Sequence, residues 1–137
     1  FKTGQLIKSG AACAARKRNY PDDVVQLYDD NGSRQSNRTA MFNYYRALLR
    51  GGGLYRQWKL GFPMIDIPTL MLWGEKDIAL SIRSTLGTEE HVANLTLRYL
   101  KGISHHVQQD APEEVNQMIE AFLKDHEVPE YLDIKND

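Results

Sequence analysis

The sequence is poor in cysteine. Cys13 is the only one among 137 residues, so no internal disulfide can form, and no Cys or His pair has the spacing of a metal site. We therefore expect no metal and no cofactor. A chain without disulfides is typical of reducing compartments, which predicts a cytoplasmic location.

The sequence also lacks a charge imbalance and a long apolar run. Lys and Arg number 17 and Asp and Glu 18, giving a formal net charge of −1, and the basic cluster Arg16-Lys17-Arg18 is interpreted as a solvated helix end. Nucleic acid is therefore not an expected partner. No stretch of about 18 apolar residues and no signal-peptide pattern is present, so we expect no membrane insertion. Because the chain starts at Phe1 rather than Met, we expect it to be part of a longer protein.

The second half of the chain has the pattern of parallel strands joined by crossovers. Apolar runs at 68–73 and 95–100 each end at or near a glycine, which is typical of strands covered on both faces. About twenty residues lie between them, with a helical stretch predicted at 80–86. A further helix is predicted after Asp110, which forms a capping-box pattern with Glu113. Its apolar face would comprise Val115, Met118, Ile119, Phe122 and Leu123. The order is βαβα, with parallel strands.

The first half of the chain is helical and polar. Pro21 and the acidic residues after it open a short helix, and a longer helix is predicted from Thr39 to Arg50, ended by three glycines. One face of the longer helix carries Met41, Phe42, Tyr45, Leu48 and Leu49. We therefore divide the chain into a helical region, 1–60, and an α/β region, 61–137.

Two parallel strands are too few to make a sheet that buries both of its faces. Parallel pairs hardly occur outside larger covered sheets, so the chain is expected to be a piece of a larger fold. The alternative is a complementary chain that completes the sheet. If the chain folds alone, one strand edge and much of an apolar sheet face should be exposed.

Acidic and imidazole side chains follow the two predicted strands where each of them ends. Glu75 and Asp77 follow the first strand, and His105 and His106 follow the second. In parallel α/β sheets, ligands bind at this edge, and an acid followed by a histidine is the chain order of hydrolase triads. Such an acid would hold the imidazole in one tautomer, and the histidine would accept a proton. From the residues alone, a turn-forming Asp and an exposed His remain the alternative.

Three strings in the sequence resemble those of soluble epoxide hydrolases of the α/β-hydrolase superfamily. They are PTLMLWGEKD at 68–77, SHHVQQDAPEEVN at 104–116 and NYYR at 43–46. The resemblance implies a partial α/β-hydrolase fold, in which a remnant of the helical cap precedes the last two core strands. It also implies that Asp77 is the triad acid, His105 the base and Tyr45 the donor to the epoxide oxygen. His106 stands where relatives commonly have Trp.

The elbow that carries the nucleophile in this family, and its oxyanion loop, have no counterpart in the sequence. The expected function is therefore that of an epoxide hydrolase fragment. It would form vicinal diols from epoxides and water through an alkyl-enzyme ester once the missing half supplies the Asp nucleophile. A dehalogenase acting on haloacids or haloalkanes is one alternative. A catalytically inactive interaction fragment, derived from a hydrolase, is another.

Overall fold

A computed structural model describes residues 20–134 of the chain; Cys13 and the Arg16-Lys17-Arg18 cluster lie outside the described residues. Contacts between backbones divide the described chain into two units, a helical one spanning Tyr20–Pro63 and an α/β one spanning 64–134. No helix within residues 20–134 is long and apolar enough to cross a membrane.

The helical unit contains three helices: α1, Asp22–Ser33; α2, Gln35–Leu49; and α3, Gly53–Leu60. Pro21 precedes α1, and two aspartates in its first turn oppose the positive end of the helix dipole. The predicted apolar face of α2 exists, but all five of its side chains are exposed within the described structure.

The third helix, α3, was not predicted from the sequence, because the three glycines before it were interpreted only as a helix end. Gly52 has φ of +73° and lies between the two helices. This left-handed conformation, which glycine adopts readily, both ends α2 and allows the chain to start a new helix at once.

The α/β unit is built on two parallel strands, β1, Thr69–Gly74, and β2, Leu95–Leu100, as predicted. Their register pairs Thr69 with Leu95 and Gly74 with Leu100. Within the described residues β1 pairs with β2 alone. The sheet is followed by α4, Val107–Asp110; α5, Pro112–Leu123; and α6, Tyr131–Ile134.

The crossover between the strands contains two short 3₁₀ helices, Ile82–Thr85 and Thr88–Glu90, and the predicted helix at 80–86 is wrong in type. Ser81 caps the first of them, and Gly87 has φ of +82°. Only five residues lie between this cap and Gly87, so the segment is too short to propagate an α-helix.

One face of the sheet carries the core of the α/β unit. Leu70 and Leu72 of β1 pack against buried side chains from the end of β2, α5 and α6. The buried set comprises Leu100, Ile103, Ala111, Val115, Met118, Val128 and Tyr131. On α5, Val115 and Met118 are buried as predicted, but Leu123 is 75% exposed and Ile119 is also exposed. The apolar face of α5 is therefore narrower than its sequence suggests.

Arg98 attaches the C-terminal segment to β2. Its guanidinium donates to the carbonyls of Val128, at 2.6 and 3.1 Å, and Pro129, and it pairs with Glu130 at 3.2 Å. These hydrogen bonds hold the segment that places Val128 and Tyr131 in the core.

Candidate active site

Backbone hydrogen bonds join the turn after β1 to the turn after β2. Glu75 N donates to Leu100 O at 3.2 Å, and Lys76 N donates to Ile103 O at 2.8 Å. Asp77 N then donates to Gly74 O, which closes the turn at 3.2 Å. The two turns are thereby held against each other, and the side chains that leave them meet.

This close approach requires glycine at the last position of β1. A Cβ atom built on Gly74 would lie 2.1 Å from Ser104 O and 2.6 Å from Ile103 O. Both oxygens belong to the backbone, so no side-chain movement could relieve the clash. Any larger residue at position 74 would push the loop that carries His105 away from the loop that carries Asp77.

The carboxylate of Asp77 accepts three hydrogen bonds. Its Oδ1 atom accepts from Ala79 N at 2.8 Å and Leu80 N at 2.9 Å, and its Oδ2 atom lies 2.8 Å from His105 Nδ1. The Asp77 side chain is only 5% exposed. Both oxygens are therefore oriented, one by the backbone of its own turn and the other by the imidazole.

Two opposing effects act on the pKa of Asp77. Burial would raise this pKa, but the hydrogen bond from His105 and those from the two backbone amides lower it more, so the net shift is downward. Asp77 is therefore ionised at neutral pH and acts as an acceptor only. It follows that Nδ1 of His105 carries a hydrogen and donates it.

With Nδ1 protonated in the neutral ring, the lone pair of His105 lies on Nε2. The His105 side chain is 36% exposed, so the ring is reachable while Asp77 behind it is shielded. This is the arrangement of a general base oriented by a carboxylate: Nε2 can accept a proton, and the imidazolium that forms is stabilised by Asp77.

The structure brings Asp77 and His105 together from strand ends 28 residues apart in the sequence. Glu75, the other acid after β1, is exposed. His106 contacts the His105 ring edge-on, with ring centroids 5.0 Å apart. Tyr45 lies on α2 in the helical unit, 60% exposed, and its role stays a prediction.

Sequence reasoning assigned Asp110 to a capping box, and this was wrong. The N-cap of α5 is Ala111, without a side-chain hydrogen bond. Asp110 is instead fully buried and accepts from Ser104, the residue before His105. The spacing of six residues between Ser104 and Asp110 belongs to no motif that could have revealed this contact.

Among the described residues no group of three or more His, Cys, Asp or Glu side chains could hold a metal ion. The arrangement of His105 with Asp77 behind it leaves Nε2 able to accept a proton.

No protein-family model matches the chain. Individual relatives do. The chain is 25% identical over 120 residues to Epoxide hydrolase 2 of Caenorhabditis elegans, an alignment that covers 88% of this chain and 33% of that protein. It is 33% identical over 106 residues to the AB hydrolase superfamily protein YfhM of Bacillus subtilis (strain 168), covering 77% and 35% of the two chains.

Epoxide hydrolase 1 of Caenorhabditis elegans is 38% identical over 64 residues, which are 47% of this chain and 16% of that protein. The chain thus spans about a third or less of the length of these three relatives. The resemblance to α/β-hydrolases of the epoxide-hydrolase type is confirmed, and the parallel strands with their helices form a partial α/β-hydrolase fold.

Replacing Gly74 by alanine should open the site. Gly74→Ala places a methyl group inside the contact distance of two backbone oxygens, and overpacking of this kind costs on the order of 1–3 kcal/mol of unfolding free energy. Because the clash separates the two loops, the contact between Asp77 and His105 should also weaken. Urea unfolding measures the first effect, and exchange of the Nδ1 hydrogen of His105 with solvent measures the second.

Gly102→Ala is the matched control for this substitution. Gly102 has φ of +76°, which strains an alanine, but a Cβ atom placed on it would meet nothing within 4 Å. It should therefore lower stability through its backbone alone and leave the Nδ1 hydrogen protected. Equal acceleration of exchange in the two variants would contradict the steric role of Gly74.

The ionised form of Asp77 should stabilise the fold only above acidic pH. Because its folded pKa lies below the unfolded value of 3.8, its contribution is present above that value and is lost as the pH falls through the folded pKa. Comparing urea unfolding of the wild type and Asp77→Asn from about pH 2 to 6, we expect the difference in unfolding free energy to shrink with acidity.

The matched control for this titration is Asp66→Asn, which removes an exposed carboxylate of the same unit. In Asp66→Asn, the unfolding free energy should depend on pH as it does in the wild type. A difference between wild type and Asp77→Asn that stays constant over the whole range would show that Asp77 does not stabilise the fold through its charge.

Proposed function

We propose that this chain carries the acid, the base and one tyrosine donor of an epoxide hydrolase, which converts epoxides and water to vicinal diols through an alkyl-enzyme ester. The observation that carries the proposal is the 2.8 Å contact between Asp77 Oδ2 and His105 Nδ1 at the C-terminal edge of two parallel strands. The names of the relatives support the substrate class. The nucleophilic aspartate would come from outside these 137 residues, from the rest of a longer protein or from a complementary chain.

In the first step, a carboxylate oxygen of that aspartate attacks an epoxide carbon, and the bond between this carbon and the ring oxygen breaks. The ring oxygen leaves as an alkoxide and needs a proton. A phenol, with an ordinary pKa of about 10, stays protonated at neutral pH yet can donate as charge develops on the oxygen. We assign this donation to Tyr45.

In the second step, Nε2 of His105 takes a proton from water, and the resulting hydroxide attacks the carbonyl carbon of the ester. The ester bond breaks, which releases the carboxylate and the second alcohol oxygen of the diol. Asp77 stabilises the imidazolium during this step. The proton held by His105 returns to the phenolate or to solvent, so the net reaction consumes one epoxide and one water.

The turn of α2 that carries Tyr45 is held by its own side chains. Arg46 Nη1 donates to Asn43 Oδ1 at 3.1 Å, and the rings of Tyr44 and Tyr45 contact edge to face with centroids 5.8 Å apart. In this proposal residues 1–60 are the second part of the helical cap, and 61–137 the end of the hydrolase core.

The partners that follow are a small-molecule epoxide and water, and no cofactor takes part. A cytoplasmic location, inferred from the single cysteine, accompanies the proposal.

The direct test is diol formation by a chimera in which this chain replaces the matching segment of Epoxide hydrolase 2. A folded chimera that forms no diol from any of a panel of aromatic and aliphatic epoxides would overturn the proposal.

Replacing His105 by glutamine should separate the two chemical steps. In the chimera, His105→Gln leaves alkylation possible but removes the base that activates water, which typically slows such a step by about 10²- to 10⁴-fold. Ester should therefore accumulate, detectable by mass spectrometry as a covalent adduct. His126→Gln, which changes an exposed histidine after α5, is the matched control and should turn over normally. Wild-type hydrolysis by His105→Gln would exclude His105 as the base.

Replacing Tyr45 by phenylalanine should slow epoxide opening without changing the fold. The substitution deletes only the hydroxyl, and loss of one preorganised donor costs roughly a hundredfold in rate. Tyr44→Phe, on the same turn of α2, is the matched control and should behave as the wild type. Because a halide leaves without a proton, the same comparison with a haloalkane distinguishes the dehalogenase alternative. Equal epoxide turnover in the Tyr44 and Tyr45 variants would make Tyr45 an ordinary aromatic of the helix.

A further inference from the structure

Asp110 is a buried carboxylate that the proposed reaction does not use. It is the last residue of α4, the short helix that follows the loop carrying His105, and its side chain has no exposure to solvent. Burying a carboxylate is expensive unless it accepts good hydrogen bonds. The hydrogen bonds of the Asp110 side chain therefore indicate its role in the structure.

Both donors of Ser104 point at one oxygen of Asp110. Ser104 Oγ donates to Asp110 Oδ2 at 2.7 Å, and Ser104 N donates to the same atom at 3.2 Å. Ser104 is itself buried. Two hydrogen bonds from Ser104 converge on a single oxygen atom, so the orientation of Ser104 is closely defined from this side.

The opposite side of Ser104 is held by β1. Its carbonyl oxygen lies in the space where a Cβ on residue 74 would stand, and the carbonyl before it, of Ile103, accepts from Lys76 N at 2.8 Å. Ser104 is thus clamped between Asp110 and the end of β1. The next residue is His105, whose ring must reach Asp77 on the same β1 turn.

We propose that Asp110 is a positioning residue for His105: by fixing the amide and hydroxyl of Ser104, it sets the direction in which the imidazole leaves the loop and keeps Nδ1 on Asp77. A peptide backbone has two soft dihedral angles at each residue. Because Ser104 immediately precedes His105, fixing the backbone of Ser104 restricts the direction in which His105 leaves the loop. Only the importance of this placement for catalysis rests on the proposed function; the placement itself does not.

The test is exchange of the Nδ1 hydrogen of His105 with solvent, measured by NMR on the full chain near neutral pH. A hydrogen held on Asp77 exchanges only when the loop opens. In Asp110→Ala, exchange should become about tenfold faster, since each lost buried hydrogen bond weakens the closed loop. In Asp110→Asn, whose side-chain oxygen can still accept from Ser104, most of the protection should return.

Thr85→Val is the matched control. Thr85 is equally buried in the same unit, and its hydroxyl contacts Tyr99 OH at 2.7 Å and Ile82 O at 2.8 Å, neither of which belongs to the His105 loop. It should lower stability without speeding Nδ1 exchange. Equal acceleration in Asp110→Ala and Thr85→Val would reduce Asp110 to a general stabiliser and overturn the proposal, as would unchanged exchange in Asp110→Ala.

Ser104→Ala keeps the test decisive if Asp110→Ala does not fold. It removes only the hydroxyl bond, and it should speed exchange more than Thr85→Val does; an equal or smaller effect would count against the proposal. The measurement needs no substrate and no nucleophile. A chimera inactive on epoxides would therefore refute the proposed function while leaving the exchange result standing, and the reverse outcome would refute only the positioning.

Discussion

The contact between the backbone at the end of β1 and the loop after β2 is the constraint on which the site depends. Gly74 has no Cβ, so the carbonyls of Ile103 and Ser104 approach it more closely than any side chain would allow. Because the two backbones approach so closely, Lys76 N can donate to Ile103 O. The carboxylate of Asp77, the next residue, then lies 2.8 Å from the imidazole of His105. Parallel pairing alone would place both loops at one edge of the sheet; the missing side chain makes them touch.

Two buried carboxylates then act on the same loop in different ways. Asp77 contacts the His105 ring, and the hydrogen bond from that ring, together with two amides of its own turn, keeps the pKa of Asp77 low despite burial. Asp110 meets the backbone and hydroxyl of Ser104, one residue before that ring. A buried carboxyl group without hydrogen bonds would be costly, but each of these two accepts hydrogen bonds from nearby donors. The loop after β2 is therefore held at its backbone and at its ring by separate acceptors.

The strands, the acid and the histidine could be predicted because their signals are local: apolar runs that end near glycine, and strings that resemble a family. Other features depend on geometry that no local pattern encodes. The run 80–86 has helical composition, but its cap at Ser81 and its break at Gly87 leave room only for a 3₁₀ helix. Asp110 has capping-box spacing with Glu113, yet its side chain accepts a hydrogen bond from Ser104, which precedes α4 in the sequence. The start of α3 was missed because Gly52 both ends one helix and precedes the next.

The burial of side chains differs between the candidate site and the surfaces around it. Asp77, His105 and the residues that orient them all lie within the α/β unit and are shielded or hydrogen-bonded there. The apolar face of α2 is exposed, and within the described residues β1 has a partner on one edge only. Edges and faces of this kind are normally covered in a folded protein, and the matched segments are 33% and 35% of the length of two relatives. The orientation of His105 is thus a local property of this sequence, whereas the apolar face of α2 and the second edge of β1 are left uncovered by the described residues.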